Sequence, residues 1–185
     1  QIFRADLQPA GQVPQVLAAK GYTPDDVNTV LVSHLHADHI SELQSFTNAR
    51  FIGSRRAFEV VSKARSLRAA LGHGSFLELL PNDYADRLLA IEDLRAIELP
   101  LGLGAGWVLV EDQVSIVPLE GHAVGHFGVL WHDSQTLYAV DAHWLLSGIA
   151  AAEPLFGMSK SVASDVPAAA QSLDRLRAFQ AAGGT

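Results

Sequence analysis

At 185 residues the chain is long enough for one domain with its own interior, and 49% apolar and 18% charged residues mark a globular protein rather than a disordered or fibrous one. A formal charge of −7 argues against nonspecific nucleic-acid binding, which draws on a basic stripe, and no apolar run approaches the length of a membrane span. The absence of cysteine excludes disulfides, thiolate metal ligands and a cysteine nucleophile, and leaves the redox compartment unreadable.

In chain order, residues 1–12 form a short lead-in. A helix is expected over 14–20, with Val16 and Leu17 inward and Gly21 as its stop. Thr23-Pro24-Asp25-Asp26 reads as a turn or a short capped helical turn. A short buried strand is expected over 28–33, from the β-branched and aliphatic run Asn28-Thr29-Val30-Leu31-Val32. It opens into Ser33-His34-Leu35-His36-Ala37-Asp38-His39, where three imidazoles and one carboxylate fall within six consecutive residues. That is a donor set for a borderline-soft divalent cation such as zinc, and at this density chance histidines on a surface loop are the weaker reading. His34 and His36 alternate, so in extended backbone both can fall on one face, while Asp38 and His39 follow as the chain turns and can face a second position.

A helix over 38–45 should bury Ile40 and Leu43, and 50–53 reads as a strand. Ser54 is placed to cap a helix running to about residue 70, with Phe58, Val61, Ala64 and Leu67 as its apolar face. Its Arg55, Arg56, Lys63, Arg65 and Arg68 are a solvated face rather than a nucleic-acid patch. Residues 71–97 are the least regular stretch, with a turn at Gly72-His73-Gly74, a non-ligand loop histidine at His73 and a short helix over 82–89. The stretch is a candidate lid insertion. The glycines of 101–106 lead into a strand over 107–110 and lack the strand-then-helix setting of a phosphate loop. Strands at 113–119, 127–132 and 136–140 are close enough in sequence to pair antiparallel, the last two joined by the turn His132-Asp133-Ser134-Gln135. The final helix, 166–182, takes Ser164 or Asp165 as cap and Pro167 in its first turn, carries the stripe Leu173, Leu176 and Phe179, and stops at Gly183-Gly184. With no repeat and no linker, 1–185 reads as a single domain.

Two further features carry chemistry. Gly121-His122-Ala123-Val124-Gly125-His126 is a weak signal alone, and Asp141, at the end of the apolar run Leu137-Tyr138-Ala139-Val140, alone reads as a turn or cap residue. Taken together with the first motif they gain meaning. His34-Leu35-His36-Ala37-Asp38-His39 resembles the H-x-H-x-D-H signature of the metallo-β-lactamase-fold hydrolases, a superfamily that includes glyoxalase II, N-acyl homoserine lactonases, class B β-lactamases and tRNase Z. The order of helix, glycine, Thr-Pro-Asp-Asp turn, strand and motif is similar to that family's, and Gly121 to His126 resembles its G-H-T-P-G-H loop, with Ala123-Val124 replacing Thr-Pro.

The resemblance implies an α/β fold, a four-layer αβ/βα sandwich of mixed sheets packed face to face with helices outside. It implies a metal-dependent hydrolase acting on a small ester, lactone or thioester through a hydroxide bridging two Zn2+ ions, with Fe or Mn as alternatives. His34, His36 and His122 would hold the first metal. Asp38, His39 and Asp141 would contribute to the second, with Asp141 bridging. Asp38 would also be catalytic, orienting the hydroxide and passing a proton to the leaving group. His126 would be a supporting residue, and His143 no ligand. The lack of cysteine favours the Asp-bridged hydrolases over true β-lactamases. Trp144 stands where lactonases carry a tyrosine, and would either wall an apolar substrate pocket or pack in the core. A phosphodiesterase or nuclease of the same fold, and a degraded metal-binding interaction module, are the alternatives. The expected partner is a small acyl compound, with neither nucleic acid nor membrane, and a homodimer is left open. The family begins with a strand hairpin and ends with a further histidine, so the chain is expected to be an internal part of the fold, incomplete at both ends. It opens on Gln1, so an earlier signal is open and the compartment is unknown, the cytoplasm slightly favoured.

Overall fold

The structure, a computed structural model, describes residues 12–64, 66–153 and 157–185. The lead-in over 1–11 and Arg65 of the basic face lie outside the described residues. Helix α1 (Val13–Ala18) has Pro14 in its first turn and ends before Gly21, whose φ of +82° reverses the chain. Leu17 reaches the core but Val16 is 49% exposed, against expectation, because a six-residue helix presents only one turn to the protein. Thr23 then caps a 3-10 turn (Pro24–Asp26), its N–H and hydroxyl both donating to Asp26 Oδ2 at 2.8 and 2.7 Å.

Strands β1 (Thr29–Leu31), β2 (Arg50–Gly53) and β3 (Leu88–Ala90) form a parallel sheet in the order β1-β2-β3. Between β1 and β2 lies one helical turn, α2 (Ala37–Ile40). Between β2 and β3 lie α3 (Arg55–Ser62), α4 (Leu67–His73) and α5 (Tyr84–Arg87). Strands β4 (Ala96–Leu99), β5 (Gly104–Val110), β6 (Val114–Pro118), β7 (Phe127–Trp131) and β8 (Thr136–Tyr138) form a second, antiparallel sheet with each strand beside the next. Helices α6 (Leu146–Ala150), α7 (Gly157–Val162) and α8 (Val166–Ala181) follow. Among the described residues no helix is long and apolar enough to cross a membrane.

Period-two alternation makes these elements four layers. On β2, Phe51 points outward into a cluster with Ile40, Leu43, Ala57, Val61 and Tyr84 of the covering helices. Its neighbour Ile52 points inward and meets Ile116, Phe127 and Val129 of the other sheet. On that sheet Val117 and Leu130 point outward against Leu173, Leu176 and Phe179, the stripe of α8. Burying each such side chain contributes about 1.5–3 kcal/mol, so the alternation fixes which face of each sheet is inside.

Several expected elements are redrawn by these contacts. Among the described residues β1 lies at the edge of its sheet, with Thr29 exposed and Leu31 40% exposed. The buried residue is Val32, just past it, whose N–H donates to Ile52 O at 2.8 Å. The helix expected over 54–70 divides because Ser66 supplies a second cap, its hydroxyl accepting the Ala69 N–H at 3.2 Å, and Leu67 is left exposed. The helix expected over 38–45 shortens to α2 and a 3-10 turn (Leu43–Ser45), with Ile40 and Leu43 buried as expected. In the stretch read as a candidate lid, Leu80, Tyr84, Ala90 and Ile91 are buried, and the expected 82–89 helix is one turn followed by β3, because Leu88–Ala90 pairs with β2. The glycines before 107 belong partly to β5: a Cβ on Gly106 would lie 2.4 Å from Leu99 Cδ1 and 2.5 Å from Ile116 O, so only glycine lets β5 run there.

Helix α3 is held by two caps. Ser54 Oγ accepts the Ala57 N–H at 3.1 Å, and the carboxylate of Glu92, beyond β3, accepts from Ser54 Oγ at 2.6 Å and from the N–H groups of Arg55 and Arg56 at 3.0 and 3.3 Å. Partial burial pushes the Glu92 carboxyl up, but these hydrogen bonds outweigh it and hold it below its ordinary value. A depressed folded-state value means that the stabilisation is present above the unfolded-state pKa, about 4.3, and is lost as pH falls through the folded value. Glu92→Gln is therefore expected to lower the urea midpoint at pH 7, and the gap from the native protein should close as both are titrated into acid. A gap that persists unchanged at pH 2 would contradict this role.

Candidate metal centre

The end of β1 delivers the first motif to the junction of the two sheets. Ser33 O accepts the N–H of Phe127, the first residue of β7, at 3.1 Å, so the loop is stitched to the second sheet immediately before His34. His36 is extended (φ −67°, ψ 148°) and caps α2, so His34 and His36 converge as their alternation predicts, with ring centroids 4.5 Å apart. The turn of α2 then swings His39 back toward His34, at 4.2 Å between ring centroids. His122 arrives from the loop between β6 and β7, its Nε2 2.9 Å from His36 Nδ1.

Asp141 arrives from beyond β8. The strand ends at Tyr138 rather than at 140, and Val140 takes φ +53°. For a β-branched residue this left-handed backbone costs about 1–2 kcal/mol, a strain located where the chain turns to present Asp141. Asp141 Oδ2 lies 2.9 Å from His39 Nε2, 3.5 Å from His122 Nε2 and 3.7 Å from His34 Nε2.

Two donor trios result. His34, His36 and His122 each offer one ligand atom within 4.8 Å of the others, and so do His34, His39 and Asp141. Ligand atoms held about 2.0–2.1 Å from a tetrahedral zinc lie roughly 3.3–3.4 Å apart, close to several of these separations. His34 Nε2 is buried and has no hydrogen-bond partner among the described residues. Its other nitrogen faces Ser33 Oγ at 3.1 Å, so the tautomer with Nδ1–H donating to Ser33 leaves a bare lone pair aimed into the cluster. An orphaned lone pair inside a ring of nitrogen and carboxylate donors fits a divalent cation.

The electrostatics agree. Burial first, and then the neighbouring histidines, keep His34 far below its ordinary value. Burial pushes His36 down and His122 down to about 4. These three imidazoles are therefore neutral at pH 7, the form that ligates metal. His39 is raised, first by its hydrogen bond to Asp141, and Asp141 is lowered by the same bond. His126 is buried, its Nδ1–H donating to Leu119 O at 2.8 Å and its Nε2 accepting the Asp141 N–H at 3.3 Å. It braces the backbone of Asp141 rather than joining either trio.

Of the residues singled out in the sequence, His34, His36, His39, His122 and Asp141 come together. Asp38 does not: its carboxylate is 80% exposed, 3.7 Å from His39 Nε2, and in neither trio, because successive side chains on the α2 turn diverge by about 100°. Trp144 is 53% exposed, which removes the packed-core reading. His143 faces the carbonyls of Leu145 and Glu153 at 3.0 and 3.2 Å and braces its own loop.

Residues that hold this arrangement escaped the sequence reading. Gly74, the left-handed cap of α4 (φ +63°), accepts the Ala37 N–H on its carbonyl at 2.9 Å, and a Cβ there would stand 3.1 Å from the His36 ring. A glycine just past a helix was the available signal. The glycines flanking His122 bring its loop close to helices. A Cβ on Gly121 would lie 2.1 Å from Ala169 N of α8, and one on Gly125 2.3 Å from Ser54 Oγ.

A family model described as the metallo-beta-lactamase superfamily matches residues 3–182. The chain belongs to the metallo-beta-lactamase superfamily. As expected for that superfamily, its fold joins α-helices with parallel and antiparallel pairing, here divided between the two sheets. Similar solved structures include an N-acyl homoserine lactone hydrolase with N-hexanoyl-L-homoserine at its catalytic metal centre, with 21% identity, a TM-score of 0.69, and coverage of 92% of this chain and 58% of that one. A mutant of AiiA from B. thuringiensis with N-decanoyl-L-homoserine bound gives the same figures. AidC, a dizinc quorum-quenching lactonase in complex with a product, is 16% identical with a TM-score of 0.59, over 88% of this chain and 56% of that one. The chain thus spans under two thirds of these structures. Among curated proteins there is no match.

Proposed function

We propose that the protein is a metal-dependent hydrolase of small esters, lactones or thioesters that holds two divalent cations, zinc first, with iron or manganese also suited to the nitrogen and oxygen donors. The observation that carries this is the buried Nε2 of His34, without a hydrogen-bond partner among the described residues, at the meeting point of two donor trios. His34, His36 and His122 would hold one cation. His39 and Asp141 would hold the other, with Asp141 between them and Asp38 at the solvent edge. The cations supply the charge that activates water and stabilises negative charge developing on a carbonyl oxygen. Ser33, by accepting from Nδ1–H, would hold His34 in the tautomer that frees Nε2. His126 holds the Asp141 backbone. Asp38, with its carboxylate in solvent beside His39, is assigned the proton transfer to the leaving group. Trp144, exposed with Leu145 and Leu146 three to five residues beyond Asp141, is assigned to an apolar wall for the acyl part of the substrate. The acyl-homoserine ligands of the similar structures support this substrate class, and the net charge of −7 disfavours a polynucleotide.

Elemental analysis of the purified protein is expected to find about two divalent ions per chain, and a panel of esters, lactones and thioesters to show hydrolysis that a chelator abolishes. A folded protein that takes up no metal would overturn the reading.

A further inference from the structure

The loop that carries His122 is tied down on two sides. On the α8 side, Ser172 Oγ donates to Glu120 O at 2.6 Å, Asp165 N–H to Gly121 O at 3.0 Å and Ser164 N–H to His122 O at 3.1 Å. On the α3 side the tie is one carboxylate oxygen. Glu120 Oε2 accepts the Gly125 N–H at 3.0 Å, closing residues 120–125 into a ring around His122, and receives Arg56 Nη2 of α3 at 3.1 Å. Gly125 in turn sits against Ser54, the cap of α3, which Glu92 holds from the other side. The contacts on the α8 side fix where the loop is. The Glu120 side chain fixes its curl, and so where the imidazole at its apex points.

We infer that Glu120 is a positioning residue for His122, holding that imidazole in the first donor trio by closing its loop and anchoring it to Arg56. This rests on the reading of His122 as a metal ligand. Carboxylates supporting a metal ligand typically alter affinity by about 10–100-fold when removed. Here the support acts through the backbone of the loop rather than through the ring.

The test measures zinc affinity by chelator competition and the visible absorption of the cobalt-substituted protein, alongside thermal melting of the metal-free form. Glu120→Ala is expected to weaken zinc binding about 10-fold or more and to alter the cobalt spectrum. Glu120→Gln, which keeps an acceptor for the Gly125 N–H, should restore most of both. If the alanine variant does not fold, Glu120→Asp, charged but one methylene shorter, carries the same expectation of weakened binding. Native affinity and an unchanged spectrum in Glu120→Ala, or in Glu120→Asp where that is the folded variant, would overturn the inference. Failure of the unmutated protein to bind zinc would instead overturn the metallohydrolase reading on which it rests.

Discussion

His34→Ala is expected to empty both of the proposed metal positions. The residue is 1% exposed, its Nε2 has no partner among the described residues, and it belongs to both trios. His126, the nearby histidine outside both trios, already uses both ring nitrogens on Leu119 and Asp141. In the metal-free protein the substitution removes an unsatisfied buried lone pair as well as packing, so the loss of intrinsic stability should be modest. The large effect lies in linkage. A cation at a hundred times its Kd stabilises the folded state by about 2.7 kcal/mol, and this increment should be present in the native protein and vanish in His34→Ala. Melting with and without added zinc, together with elemental analysis, measures it. Asp38→Ala is the comparison: with an exposed carboxylate outside both trios, it should retain more metal and lose turnover. Retention of native metal content by His34→Ala would refute the assignment.

Gly121→Ala is expected to destabilise the fold by about 3 kcal/mol or more. The added Cβ would lie 2.1 Å from Ala169 N and 2.4 Å from Ala169 Cα, which are backbone atoms in the first turn of α8 and cannot swing aside. The φ of +120° at Gly121 is itself closed to an L side chain. Gly21 separates the two contributions: at φ +82° and with nothing among the described residues within 4 Å of its Cβ position, Gly21→Ala should cost only about 1–2 kcal/mol. Urea denaturation of the two variants compares them directly. A cost at Gly121 no greater than at Gly21 would show that α8 gives way and that the close approach is not what holds the His122 loop.

These two residues mark where sequence reasoning succeeded and where it stopped. The convergence of His34, His36, His39, His122 and Asp141 was legible because ligand chemistry resides in side-chain type and local spacing, and because both motifs have the superfamily's form. The cap of α8 at Asp165, its stripe and the antiparallel succession of short strands were legible for the same local reasons. The division of the helix at Ser66 was not, since Ala64 and Leu67 continue the apolar period through it. β3 was lost because three residues of strand are too few to show a period, and it exists by pairing with β2.

Which atoms can offer lone pairs to a cation and which strand faces are apolar follow from residue type and periodicity alone. How those atoms are grouped depends on the folded chain. The fold placed His34 in both trios, left Asp38 in solvent, and set the His122 glycines against helix α8 and the cap of α3. The reason is physical: grouping depends on the direction each loop takes, and that is set by backbone contacts such as Ser33 to Phe127 and Asp165 to Gly121, between segments far apart in the chain.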